Sequence, residues 1–405
     1  MIGPALQSAG VPVLLITAVY PPRHGGSGRW FEDLYARLGS TVVAAGPSDD
    51  PVADAVHDVA SPIAVERVFF PPPGTGLIRP SSALDYMRCY RDLRRIVCRD
   101  RVAAVHAGCV LPEGLLGAAL AARFRLPLTV YVHGEEVRGA ALGRELNALA
   151  RLTFRRASRI VANTQNTASL LDKYWELQSE KVCVLHPGVD ASRFVPAPRN
   201  PASRAALGWG DRPVVLTVGR LQARKGQDVL IRAMPAIRQS VPDVLYAVVG
   251  AGDYEATLRS LAEECGVADA VLFHGAVAED TMLAAHQQCD LFALPNRDVE
   301  SNTEGFGIVL LEAAACRKPT VCGTAGGTGE AIEDGATGVR MDCEDPSAVA
   351  SEIVSLLTNP GRSNAMGYAG RKRVERRFDW PTRVEVARSL FDMGPGASPA
   401  ELAIV

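Results

Sequence analysis

Two doubly wound α/β domains are the fold this sequence predicts, and three observations predict it. Short runs rich in Val, Ile and Leu alternate with longer amphipathic stretches along almost the whole chain. The runs are apolar throughout instead of alternating with polar residues, as in parallel strands covered by helices on both faces. At 405 residues the chain exceeds one ordinary core, and FVPAPRNPASR at 194–204 interrupts every periodic pattern with three prolines.

In the first half VPVLLITAV, TVVAAG, VAAVHAG, LPLTVYVHG, RIVANT and KVCVLHPG read as strands; in the second, PVVLTVGR, VLYAVVG, AVLFHG, CDLFALPN and KPTVCGT do. Among the intervening stretches, LDYMRCYRDLRRIVCRDR (84–101) places Leu84, Met87, Leu93 and Val97 on one face and arginines on the other. That is the pattern of a sheet-covering helix with a solvated arginine face, although a basic amphipathic helix can also lie on an anionic membrane. The last residues, MGPGASPAELAIV, read as a flexible tail.

Composition excludes several classes. With 47% apolar and 22% charged residues the chain is globular, and a net charge of −2 gives no pull towards nucleic acid. Residues 1–195 hold 22 Lys+Arg against 18 Asp+Glu, +4, which leaves −6 for the remainder. Nine scattered cysteines with no CxxC pair read as free thiols in a reducing compartment. No segment approaches the roughly 20 apolar residues of a membrane span, and no leader is evident, so the expected location is cytoplasmic. Five lysines against 38 arginines fit a GC-rich bacterial genome.

The chemistry concentrates at strand ends, where doubly wound sheets bind their ligands. In PNRDVESNTEGFGIVLLEAAACRKP, Glu304 lies in a glycine-containing loop and Glu312 in an Ala-rich helical run. The amides of Phe306, Gly307 and Ile308 stand at the expected helix start, a ready anion site. Donors for phosphate and acceptors for hydroxyls together suit a nucleotide sugar. After PVVLTVGR, Arg220 and Lys225 supply two cations suited to a diphosphate. YPPRHGGSGRW (20–30) carries Gly25, Gly26 and Gly28, which permit positive φ and close backbone approach, but it is neither a Walker loop nor a dinucleotide fingerprint. His133 ends LTVYV and could donate to a ligand, although His106, His186 and His274 end strands too. No His/Cys/Asp cluster has metal-ligand spacing, so the chemistry is expected to need neither metal nor cofactor.

These residues resemble the family-4 retaining glycosyltransferases of GT-B architecture over nearly the whole chain. The E-x7-E pair stands as Glu304 and Glu312, the Arg/Lys pair as Arg220 and Lys225, and the Gly-Gly loop as Gly25-Gly26. The strand-end histidine is His133, and the interdomain phrase is LHPGVDASRFVP. The resemblance implies two Rossmann-like domains facing a central cleft. An N-terminal acceptor domain would span 1–195, a nucleotide-sugar domain 196–378, and a helix in 379–405 would return to the first domain. It further implies that Glu312 holds the ribose, Glu304 a sugar hydroxyl, and Arg220 with Lys225 the departing diphosphate. Gly219, Gly26, Phe306, Gly307 and Ile308 would contact phosphate or sugar, Val277 would frame the base and His133 would touch the transferred sugar. The acceptor would meet Arg23, His24, Glu135, Arg138 and Asn163.

The expected activity is metal-independent, same-face transfer from a GDP- or UDP-sugar to a small-molecule acceptor in specialised-metabolite or glycoconjugate biosynthesis. Asn302 and Thr303 before Glu304, and Ala162-Asn163-Thr164 on the acceptor side, depart from the commonest family pattern and point away from its most familiar acceptor. Two alternatives stay open: a lipid-acceptor mannosyltransferase at a membrane surface, and a nucleotide-sugar epimerase or hydrolase. Neither a nucleic-acid partner nor an integral membrane segment is expected, and a homodimer is compatible with the sequence.

Overall fold

Two wholly parallel sheets organise the chain, as uniformly apolar strands require. The computed structural model describes residues 12–23, 25–134, 137, 143–177, 179–300 and 302–392. The chain divides into two units, Met1–Pro187 with Pro381–Val405, and Gly188–Trp380. The tail 393–405 lies outside the described residues.

The first unit's strands are β1 (Val13–Thr17), β2 (Thr41–Ala45), β3 (Ala64–Arg67), β4 (Ala104–Ala107), β5 (Leu128–Val132), β6 (Arg159–Ala162) and β7 (Val182–Val184). They lie in the order β3-β2-β1-β4-β5-β6-β7. Leu15 of β1 stands opposite Val43 on one side and His106 on the other. The chain therefore winds outward from β1 through β2 and β3, then returns to lay β4 on the other flank. Leu14, Ile16, Val105, Val130 and Ile160 are all fully buried.

The second unit repeats the plan with β8 (Val214–Val218), β9 (Leu245–Val249), β10 (Val271–Gly275), β11 (Leu291–Leu294), β12 (Thr320–Gly323) and β13 (Val339–Met341). Their order is β10-β9-β8-β11-β12-β13. The apolar pattern missed only β3 and β13. Both are edge strands of sequence AVER and VRM, without a fully buried residue, so neither needs an apolar run.

The break between units falls at 187/188, earlier than the 195 expected from the proline cluster. Hydrogen bonding explains the shift. Val189 N–H donates to the Phe378 carbonyl at 2.9 Å, and Arg371 donates to the carbonyls of Ala191 at 2.9 Å and Phe194 at 2.6 Å. Residues 188–195 are thus tied to the second unit. The helix Trp380–Asp392 contributes to the first: Ala387 and Leu390 are buried, Phe391 lies 4.9 Å from the His106 ring, and Arg388 donates to the Arg37 carbonyl.

One expected core stripe is corrected. The helix Pro80–Asp100 buries Tyr86, Cys89, Leu93, Ile96 and Val97, whereas Leu84 and Met87 are 43% and 60% exposed. At 3.6 residues per turn, Leu84 and Met87 share a face with Arg88, Arg91 and Arg95, opposite Leu93. All nine cysteines are free thiols, six of them buried.

Candidate active site

At the point where an open sheet reverses its winding, two neighbouring strands send their following loops apart and leave a crevice. In the second unit that point is the β8–β11 pair. The loop after β8 carries Gly219 to Gly226; the loop after β11 carries Pro295 to Gly307. Lys225 Nζ lies 2.7 Å from Glu304 Oε2, and the Arg224 guanidinium donates to the same oxygen. All three residues are buried. Burial alone would raise the Glu304 carboxyl, but Lys225 and Arg224 outweigh it and hold the group below its ordinary range.

The two loops are fastened beside this cluster. Arg297 N–H donates to the Arg224 carbonyl at 3.0 Å, and its guanidinium forks onto Asp228 at 2.9 and 2.7 Å. Gly327 N–H donates to the Glu304 carbonyl at 2.9 Å. Gly307 caps the helix Ile308–Ala315 at φ 80°, a left-handed conformation that favours glycine, and its position starts the helix immediately after the loop. Phe306 is buried, whereas Ile308 is partly exposed at the first helical position.

Glu312 points off that helix into a buried position, with His286 Nε2 3.3 Å from its Oε2. Gly219 adopts φ 149°, and Lys225 Nζ passes 3.7 Å from the place its Cβ would occupy. Val277 packs half-buried at the margin of the second unit's core. Arg220 behaves differently from Lys225: its side chain is exposed, and its carbonyl accepts from Gln227 Nε2 at 3.2 Å. The structure thus joins Lys225 to Glu304 and adds Arg224, which sequence reasoning missed. The only signal was its place beside Lys225 in the dipeptide Arg-Lys.

The first unit's crevice lies between β1 and β4. Ala18 N–H after β1 donates to Glu113 Oε1 after β4, at 2.9 Å. Gly25 caps the helix Gly26–Leu38 in an extended conformation, φ 173°, and neither Gly26 nor Gly28 takes positive φ. Of the two freedoms glycine permits there, positive φ goes unused. At Gly28 the constraint is steric, since a Cβ would sit 2.8 Å from the Val19 carbonyl oxygen. Arg23 is exposed on the same loop.

His133 leaves β5 with Nε2 2.9 Å from the Gly108 carbonyl and its ring edge-on to Trp30 and Phe31, at 5.7 and 5.6 Å. Asn163 is occupied internally. Its amide donates to the His133 carbonyl, and its Oδ1 accepts from Thr167 and Thr164 hydroxyls. It braces the His133 turn instead of presenting a free amide. His24, Glu135 and Arg138 lie outside the described residues.

Arg67, at the end of β3, anchors the glycine loop. It donates to the Pro21 carbonyl at 2.6 Å, to the Gly46 carbonyl at 2.9 Å, and forks onto Asp58. Its side chain is only 16% exposed. Arg67→Ala should cost about 2–4 kcal/mol, because it strips a part-buried carboxylate and two carbonyls of their donor. Thermal unfolding measures this, and a change below about 0.5 kcal/mol would show the anchor to be dispensable.

Comparison with known proteins covers both units. The model of Glycosyltransferase Family 4 matches residues 4–193, and that of Glycosyl transferases group 1 matches residues 200–373. A GDP-mannose-dependent alpha-(1-6)-phosphatidylinositol monomannoside mannosyltransferase of Mycolicibacterium smegmatis is 33% identical over 381 residues, 92% of this chain and 96% of that protein. Its Mycobacterium tuberculosis counterpart is 34% identical over 388 residues, 91% of this chain and 95% of that one. Among solved structures, Anabaena HepE in complex with UDP and glucose superposes with a TM-score of 0.80 at 22% identity, covering 95% of this chain and all of that one.

Proposed function

This chain belongs to the family-4 glycosyltransferases of GT-B architecture, and from that premise we propose that it moves mannose from GDP-mannose to a phosphatidylinositol-mannoside type of lipid acceptor. The observation that carries the reading is the 33–34% identity over more than nine-tenths of the chain with enzymes of that donor and acceptor. It replaces the small-molecule acceptor expected from sequence as the preferred reading.

A feature of the first unit supports a lipid acceptor. The exposed face of the helix Pro80–Asp100 carries Leu84, Met87, Arg88, Arg91 and Arg95, and Phe69, Leu77 and Ile78 of the preceding segment are exposed as well. Apolar side chains flanked by arginines match the boundary of an anionic bilayer. Among the described residues no helix is long and apolar enough to cross a membrane.

In the second unit Lys225 and Arg220 neutralise the diphosphate, and Glu312 takes the ribose hydroxyls. Glu304 takes a sugar hydroxyl, while the amides of Phe306, Gly307 and Ile308 meet phosphate. Gly219 lets the diphosphate approach the backbone, and Val277 borders the base. The reaction proceeds on one face of the sugar. The bond from C1 to the diphosphate oxygen breaks, the acceptor oxygen bonds C1 on the same face, and its proton passes to the departing phosphate. Fixed cations and amides meet the developing charge, and no metal ion is required.

The test presents GDP-mannose with phosphatidylinositol mannoside in anionic vesicles, with free inositol phosphate, and with no acceptor. Mannolipid as the dominant product supports the proposal. Dominant transfer to the soluble cyclitol overturns the lipid assignment, and rapid free-mannose or epimer release overturns the transferase reading. The combined variant Met87→Ser, Arg91→Glu, Arg95→Glu should lose vesicle binding and lipid transfer by about tenfold or more, since each cation near an anionic surface contributes about 1 kcal/mol. Its affinity for GDP should be unchanged. Undiminished vesicle binding would remove this face from the acceptor side.

A further inference from the structure

A fully buried histidine lies against the proposed ribose carboxylate. The helix Glu279–Gln288 carries His286, whose side chain is wholly inaccessible. Its ring stacks on Phe292 at 5.4 Å with an interplanar angle of 28°, and meets Phe194 edge-on at 5.8 Å. Neither ring nitrogen has a hydrogen-bond partner, and Nε2 lies 3.3 Å from Glu312 Oε2.

An imidazole in such a place is costly. Two polar nitrogens are removed from water among aromatic rings, where phenylalanine or leucine would fill the space without penalty. The polar neighbour that gives the ring a use is Glu312. Two lone pairs cannot face each other at 3.3 Å, so the Nε2 position is where the bonding proton belongs. The contact is close without being aligned as a hydrogen bond. A small rotation of the carboxylate completes it and orients the carboxylate from beneath. A carboxylate so held is presented to a vicinal diol in one plane.

We propose that His286 is a positioning residue of the nucleotide site, holding the Glu312 carboxylate in the orientation that receives the ribose hydroxyls. The inference rests on the ribose role assigned to Glu312 above. It needs no contact between His286 and the nucleotide, and the ring's complete burial allows none. Its effect is therefore specific to the hydroxyls that Glu312 recognises. Phosphate and base binding are left alone.

The experiment compares GDP with 2′-deoxy-GDP by calorimetric titration of the full chain. The wild-type protein should prefer GDP by about tenfold or more, and Glu312→Gln should lose most of that preference, as expected for a hydrogen bond to a charged acceptor. His286→Phe, which fits between Phe194 and Phe292, should weaken GDP by about tenfold while changing 2′-deoxy-GDP less than about threefold. His286→Gln, which keeps a donor and also serves should the phenylalanine variant not fold, should restore part of the preference. An equal loss for both nucleotides, or an unchanged preference in both His286 variants, overturns the positioning role. Absence of any preference in the wild-type protein instead overturns the ribose assignment of Glu312.

Discussion

Arg220→Ala should lower turnover about 100- to 1000-fold while leaving the melting temperature unchanged, the loss typical of one preorganised donor at a site of developing charge. The separation of effects follows from position. Arg220 stands exposed after β8, and its backbone carbonyl, not its side chain, is what Gln227 holds. The substitution removes no buried contact, so a folding defect is not expected. On the proposed chemistry the guanidinium meets a diphosphate whose charge grows as the sugar–oxygen bond breaks. Most of the loss should appear in kcat, with a smaller change in the GDP-mannose KM. Steady-state kinetics with a melting curve decide it. Near-normal kcat would remove Arg220 from the reaction, and a large fall in melting temperature would show its role to be structural.

Glu304→Ala should combine a stability loss with a catalytic one. The carboxylate lies between two buried cations, Arg224 and Lys225, the latter at 2.7 Å. Removing it leaves like charges together in a buried site, a change that costs about 3–5 kcal/mol. For a unit of this size that is a fall of roughly 6–20 °C in the transition reporting the second unit. The pH dependence has a definite sign. The folded carboxyl titrates below its ordinary value of 4.5, so the stabilisation is present above that pH and is lost as pH falls through the lower folded value. Wild-type stability should therefore decline on the acid limb more steeply than that of the variant. Turnover should fall by orders of magnitude even where the variant is folded, because Glu304 is also the proposed sugar contact. A variant as stable as wild type would show that Arg224 and Lys225 do not depend on it.

Two of the residues that meet in the second unit, Lys225 and Glu304, were legible in the sequence. Lys225 and Glu304 are 79 positions apart, yet each follows a uniformly apolar strand, and strand ends are where such folds gather ligand residues. Arg224 was not legible, because two adjacent cations look alike in sequence. Only the turn Ala223–Lys225 shows that both turn inward onto one carboxylate. Asn163 was misleading for a related reason. Its side chain looked available for an acceptor, but the amide spans to the His133 carbonyl, thirty residues away. The helix Pro80–Asp100 was half legible. Its apolar residues form two stripes, and periodicity alone merged Leu84 and Met87 with the buried set.

By itself the sequence determined the fold class and marked the strand ends proposed to bind the donor. Those are properties of local composition: a strand buried on both faces must be apolar, and phosphate recognition needs cations and glycine-bearing loops near one another in the chain's plan. Tertiary structure alone decided which side chains meet. β3 and β13 became strands because an edge can pair without burial. His286 came to lie 3.3 Å from Glu312 because two helices separated in sequence pack together. Charge pairing and burial act through space over a few ångströms, and that distance is set by packing.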